Sequence, residues 1–198
     1  GLFNDGSALV NGSTFNDNTV SGFDVFAGLG GGIFNNYEAS LTLTNSTISR
    51  NVAVLSAGSY PLRGAGLYNE GVAELSSVTV TGNNPDGLSS VLPGIDGDAP
   101  LVGPPTAILK NTIVAGNIAT DCSGITIVSA GYNLDGDNTC GLTSSGDIPG
   151  MDPRLDPLAS NGGPTLTHAL QSASPARDNG GSCLATDQRG FPRPRPID

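Results

Sequence analysis

The sequence predicts an all-β fold, a right-handed parallel β-helix (β-solenoid) of about four to five coils with an irregular C-terminal segment, on three observations. Glycine (29) and proline (14) are plentiful while charged residues make up 13% and aromatic residues 5%, which suits short strands joined by turns rather than long helices. Four eleven-residue segments recur without gaps, and a second short motif precedes three of them.

The segments are ALVNGSTFNDN from Ala8, LTLTNSTISRN from Leu41, AELSSVTVTGN from Ala73 and AILKNTIVAGN from Ala107. Positions one, three and eight hold Ala8, Val10 and Phe15; Leu41, Leu43 and Ile48; Ala73, Leu75 and Val80; and Ala107, Leu109 and Val114. All are apolar, an outcome expected about once in 10⁵ by chance at this composition. Position four is always polar (Asn11, Thr44, Ser76, Lys110). The alternation therefore has the period of a strand and changes phase at a turn near position five. Each segment ends in asparagine: Asn18, Asn51, Asn83 and Asn117. Asparagine tolerates left-handed backbone and bonds neighbouring main chain, so one at the same turn of each coil stacks into a structural amide ladder. A row of sugar-binding amides is the functional alternative. Sequons at Asn11 and Asn45 carry little weight in a chain so rich in Asn, Ser and Thr.

The second motif is GLFND from Gly1, GIFNN from Gly32 and GLYNE from Gly66, each a glycine, a short apolar strand and an asparagine. A unit is thus strand, turn, strand, turn, strand and loop, and no unit buries its apolar face alone. Loops fall at 19–31, 52–65 and 84–106 and project from one edge, the place for partner contacts. The longest reads equally as an inert insertion. A fifth, partial coil covers 124–134, which sets the division into coils at 1–134 and a C-terminal segment at 135–198 packed on the same solenoid.

A net charge of −10 and a pI near 4.2 argue against nucleic acid and an anionic bilayer as partners, since either would need clustered Lys and Arg. No stretch reaches the apolar length of a transmembrane segment, and no signal peptide opens the chain.

The residues Cys122-Ser-Gly, Gly131-Tyr-Asn-Leu, Asp152-Pro, Asn161-Gly-Gly-Pro-Thr-Leu-Thr-His-Ala-Leu170, Ser174-Pro-Ala and Ala185-Thr-Asp-Gln-Arg-Gly190 resemble the choice-of-anchor Q domain. The upstream segments are similar to the Gly-Gly-x-Ile and Asn-ended repeats of polymorphic outer-membrane proteins. The resemblance implies a bacterial β-helix that is secreted or held at the cell surface, with its anchor further downstream. Gly1 begins inside a motif, and the chain reads as a fragment cut at both ends. In an exported protein Cys122 and Cys140, which flank the fifth coil, are expected to form a disulfide worth about 3 kcal/mol, leaving Cys183 free. Similar sequences carry a further cysteine in a C-terminal strand that this chain lacks, which would leave Cys183 without its partner. A metal site built on the three cysteines fits poorly without C-x-x-C spacing.

Catalysis finds little support. A glycosidase needs two carboxylates across a groove, and a lyase needs a base beside calcium-binding acids. Asp5, Asp17, Asp24, Asp86, Asp96, Asp98 and Asp121 fall on loops and turns, and the lone His168 sits in a strand-like context. The only cofactor suggested is calcium, at Asp135 and Asp137, whose alternating oxygens lack the count of a complete loop; Asp96-Gly-Asp98 offers the same pattern. The function expected is a non-catalytic structural or adhesive surface domain contacting protein or glycan. A polysaccharide lyase or glycosidase and a fibre subunit associating end to end are the alternatives.

Overall fold

The computed structural model describes residues 1–22, 29–55, 64–89 and 104–193. The described residues are all-β without a helix, and every pair of named strands is parallel. Parallel pairing cannot be made through a tight hairpin, so each strand pairs with its counterpart in a neighbouring repeat.

The largest sheet is built from the eleven-residue segments. Ala8 pairs with Leu41, Leu41 with Ala73 and Ala73 with Ala107, at separations of 33, 32 and 34 residues. Phe15, Ile48, Val80 and Val114 fall in a second line at the same separations. The bend between the two lines has a backbone cause. Gly12, Asn45, Ser77 and Asn111, the fifth residues of the segments, adopt φ of 62°, 45°, 58° and 49°. A left-handed residue breaks the strict alternation and returns position eight to the face used by positions one and three. Glycine at position 12 takes this conformation freely; asparagine at 45 and 111 is the side chain that tolerates it best.

The inward positions make the core. Leu41, Leu43, Ile48, Ala73, Leu75, Val80, Ala107, Leu109 and Val114 are all at most 1% exposed. In the first segment Ala8, Val10 and Phe15 are half-buried because strands pair with them on one side only. Full burial of a Leu, Ile or Val is worth about 1.5–3 kcal/mol, so cohesion comes from stacking one rung on the next.

A second sheet lines up Leu2–Asn4, Ile33–Asn35, Leu67–Asn69, Leu88–Ser89 and Cys122–Ser123. Leu2, Ile33, Leu67, Leu88 and Cys122 share one register. Phe3, Phe34 and Tyr68 form another, with ring centroids 5.4 and 5.3 Å apart. A third sheet pairs Thr19–Gly22 with Val52–Leu55. The expected loops at 19–31, 52–65 and 84–106 are therefore corrected at their starts: the first two open as strands, and Leu88–Ser89 lies inside the third. Four-residue and two-residue strands are too short to show a period, which is why the sequence hid them. The remainder of these loops lies largely in residues 23–28, 56–63 and 90–103, outside the described residues, as do Asp24, Asp96 and Asp98.

Within the stretch 124–134 expected to form a fifth coil, Thr126–Ser129 pairs in parallel with Thr106–Leu109, at a short step. Ile127 pairs with Ala107, only 20 residues earlier, and Leu134 with Ile113, 21 earlier. Beyond Pro149 the described residues hold only isolated antiparallel bridges, Leu155 to Leu170, Ala159 to Thr167 and Thr186 to Pro192. This segment runs back across the largest sheet as a strap. Asn111 exchanges two hydrogen bonds with Gly181, Arg193 donates to Asn45 Oδ1, and Thr165 Oγ1 donates to Gly12 O.

The register makes a sharp contrast between adjacent residues. Val80→Asp places an unpaired charge in the core and is expected to remove several kcal/mol, about 3 or more. Thr79→Asp on the opposite face is expected to cost under about 1 kcal/mol. Thermal melts of the two variants test this, and equal losses would contradict the register.

Candidate functional site

Two buried amide ladders run along the stack. In the first, Asn18 Nδ2 donates to Asn51 Oδ1 at 2.8 Å, Asn51 Nδ2 to Asn83 Oδ1 at 2.9 Å and Asn83 Nδ2 to Asn117 Oδ1 at 2.9 Å. Each Oδ1 also accepts the backbone N–H of the preceding rung's asparagine. The second ladder joins Asn4, Asn35 and Asn69, with Nδ2 to Oδ1 distances of 2.7 Å at both steps. Asn51, Asn83, Asn35 and Asn69 are fully buried. Such amides face their own kind rather than solvent, so they are not placed to bind a sugar.

The first ladder ends on a carboxylate. Asn117 Nδ2 donates to Asp121 Oδ1 at 2.9 Å, and the other oxygen, Oδ2, accepts from the N–H groups of Gly136 and Asp137. An ionised carboxylate has no proton to pass on, so Asp121 terminates the chain of donors. Asp135 and Asp137 stand beside it, with one oxygen of each of the three within 4.8 Å of the others. Calcium needs six to eight oxygens turned toward one point. Here Asp135 Oδ1 accepts from the N–H groups of Asp137 and Asn138, and its Oδ2 from that of Cys140. Asp137 Oδ1 accepts from Thr139 and its Oδ2 from Asp121 N–H. Every carboxylate oxygen of the cluster therefore already faces a donor, and the three side chains knit residues 135–140 onto the rung end.

Burial governs the protonation of this cluster. It pushes the Asp121 carboxyl up to about 6, against the donors from Asn117, and the negative charges of Asp137 and Asp135 act in the same direction. Burial also raises Asp135. At Asp137 burial pushes upward, but hydrogen bonds from Thr139 and Asp121 outweigh it and hold the carboxyl below its ordinary range. The same corner carries the Cys122–Cys140 disulfide, with Cα atoms 4.9 Å apart. Cys183 is a free, half-buried thiol.

Between the strap and the largest sheet lies a cavity of about 570 Å³. Its walls include Ser77 and Ile113 on the sheet and Leu155, Leu170, Arg177 and Cys183 on the strap. His168 also lines it, but both ring nitrogens are engaged, Nε2 with Ser49 Oγ at 2.9 Å and Nδ1 with Asp156 O at 2.7 Å. Burial lowers its pKa, as expected of a neutral docking residue. Gln188 is the other principal tie: it accepts from Thr47 Oγ1 and donates toward Ser13 O and Thr14 Oγ1. The motif around Ala185 to Gly190 contains it, but nothing in the local pattern announces that it reaches the first rung. No family model, curated protein or solved structure matches the chain.

The cluster gives a pH signature with a definite sign. Asp121 holds its proton more tightly when folded, near 6, than at its ordinary value of 3.8. Folded stability from this group therefore rises as pH falls through 6 toward 4. His168, with its lowered pKa, acts oppositely. At pH 7 Asp121→Asn should cost about 1–3 kcal/mol, since an amide has one acceptor oxygen and leaves the Gly136 and Asp137 N–H groups without theirs. Between pH 7 and 5 the wild type should gain about 1 kcal/mol over the variant, with His168 cancelling in the difference. Denaturant titrations at the two pH values read this, and a wild-type advantage that shrinks on acidification would show that the fold selects the ionised form.

Proposed function

We propose that the chain is a right-handed parallel β-helix working as a non-catalytic structural or adhesive module on a bacterial surface, in contact with protein or glycan. The observation that carries this reading is the single register of the four segments, with the ladders and core it lines up. A scaffold of this kind has its interior wholly committed to cohesion and offers its outer faces and loop edge to partners. Right-handedness follows from the general preference of parallel crossovers. The disulfide favours an oxidising compartment. Among the described residues no helix is long and apolar enough to cross a membrane. The likeness of residues 122–190 to the choice-of-anchor Q segment supports surface placement.

The enzymatic alternative needs carboxylates free to act on a substrate across a groove. The clustered carboxylates Asp121, Asp135 and Asp137 instead accept N–H donors at the rung end, and His168 in the cavity is engaged at both ring nitrogens. End-to-end fibre growth finds weaker support at the C-terminal end of the stack, where Asp121 stops the ladder and residues 135–140 cover it.

The experiment is a paired screen of the purified chain: binding to arrayed bacterial and host glycans and to surface proteins, alongside release of reducing or unsaturated ends from a polysaccharide panel. Saturable binding without product is expected. Turnover of any polysaccharide that scales with protein concentration would overturn the reading.

A further inference from the structure

We propose that the cavity between the strap and the largest sheet is a binding site for a sugar acid, a hydroxylated pyranose bearing one carboxylate. The inference rests on the reading of the chain as a glycan-contacting module and assigns that contact a place. Across the rungs, the left-handed turn residues dock the strap: Gly12 O accepts from Thr165, Asn45 from Arg193, and Asn111 pairs with Gly181. Ser77, the remaining member of the row, breaks the pattern. Its Oγ is buried and has no hydrogen-bond partner, and Ser77 lines the cavity. A buried hydroxyl without a partner costs about 1–3 kcal/mol, and rotation about χ1 toward a ligand hydroxyl relieves that cost.

Charge selects the ligand. The chain carries eight Lys and Arg against eighteen Asp and Glu, yet the cavity is lined by Arg177, Arg189 and Arg193 against only Asp178 and Asp187. Arg189 is held by Asp187 at 2.5 Å, and Arg193 donates to Asn45 and to backbone carbonyls. Arg177 makes no side-chain hydrogen bond or ion pair among the described residues and is exposed at the rim. Its guanidinium is thus free for a carboxylate, which it can hold in a bidentate pair. Ile113, Leu155 and Leu170 supply an apolar surface for the C–H face of a ring, and the volume lies in the ordinary range for small-ligand sites.

The test is an NMR titration of the full chain with glucuronate, with glucose as the neutral control. Glucuronate is expected to shift Ser77, Ile113 and Leu170 saturably and to bind about tenfold more tightly than glucose, the worth of one charge-assisted bond. Arg177→Gln should bring glucuronate down to the glucose level with the melting temperature unchanged, because the side chain is exposed and unpaired. Absence of shifts at the cavity, equal binding of both sugars, or full binding by Arg177→Gln would overturn the proposal. The two readings separate when the glycan array is run beside the titration. A glycan array that stays negative while glucuronate shifts these residues overturns the glycan-contact reading and leaves the site. A positive array that Arg177→Gln does not change overturns the site and leaves the adhesive reading.

Discussion

The structure depends on one constraint, that each rung lies in a single parallel register on the next. In a strand the side chains alternate, so a slip by one residue turns every core side chain outward. The apolar residues alone do not fix the register to the residue, because a slip by two restores the alternation. The amides do. Asn51 and Asn83 are buried with both ends of their side chains occupied by asparagines one rung away, and a slip by two would part each buried amide from its matching amide, at several kcal/mol for each donor or acceptor left unmet. Hydrophobic burial drives the stacking and the asparagines determine which stacking is allowed.

The same logic explains the asymmetry of the two ends of the ladder. Donation runs from Asn18 toward Asn117, so the last rung must receive a proton and need not give one. A carboxylate is the acceptor that meets this demand. Holding it in the rung end costs desolvation, which appears in the raised pKa of Asp121, and the surrounding N–H groups of Gly136 and Asp137 offset that cost. The disulfide fastens the loop that supplies those donors. Ladder, acidic cluster and Cys122–Cys140 bridge are therefore consecutive parts of one termination.

How much of this was legible in the sequence varied with the range of the interaction. The four segments announced their own register, because stacking one rung on its counterpart repeats the same side-chain requirements every 32 to 34 residues. The ladder asparagines were legible for the same reason. The second ladder through Asn4, Asn35 and Asn69 is half-visible, since each asparagine follows the apolar pair of its motif while nothing local says that it meets the next. Leu88–Ser89 and Cys122–Ser123 escaped because two residues carry no period. The Asp135-Gly-Asp137 pattern was ambiguous by nature: short acidic turns bind cations or their own backbone N–H groups with the same spacing, and only the position of Asp121, fourteen residues upstream of Asp135, shows how the oxygens are used. The path of the strap was invisible. Gln188 meets Ser13 and Thr14 across more than 170 residues, through contacts made once and repeated nowhere.

That difference between repeated and single contacts has an energetic counterpart. Within the stack the inner rungs each bring a row of buried apolar side chains, among them Leu41, Leu43, Ile48, Leu75, Val80, Leu109 and Val114, and a set of strand hydrogen bonds. The strap is held instead by separate polar ties at Gln188, His168, Arg193 and Gly181, each worth about 1 kcal/mol net against water. Few of its apolar side chains are buried; Leu155 and Leu170 are only half-buried. Regions with little apolar burial open locally at free energies below that of global unfolding. The strap is accordingly the layer expected to open at the lower free energy, ahead of the stack beneath it. Because the cavity has the strap as one wall and the rigid sheet as the other, whatever enters it meets one fixed surface, carrying Ser77 and Ile113, and one adjustable surface, carrying Arg177. A ligand that bridges the two adds its own contacts to the ties that hold the strap, so occupancy of the cavity and closure of the strap favour one another by linkage.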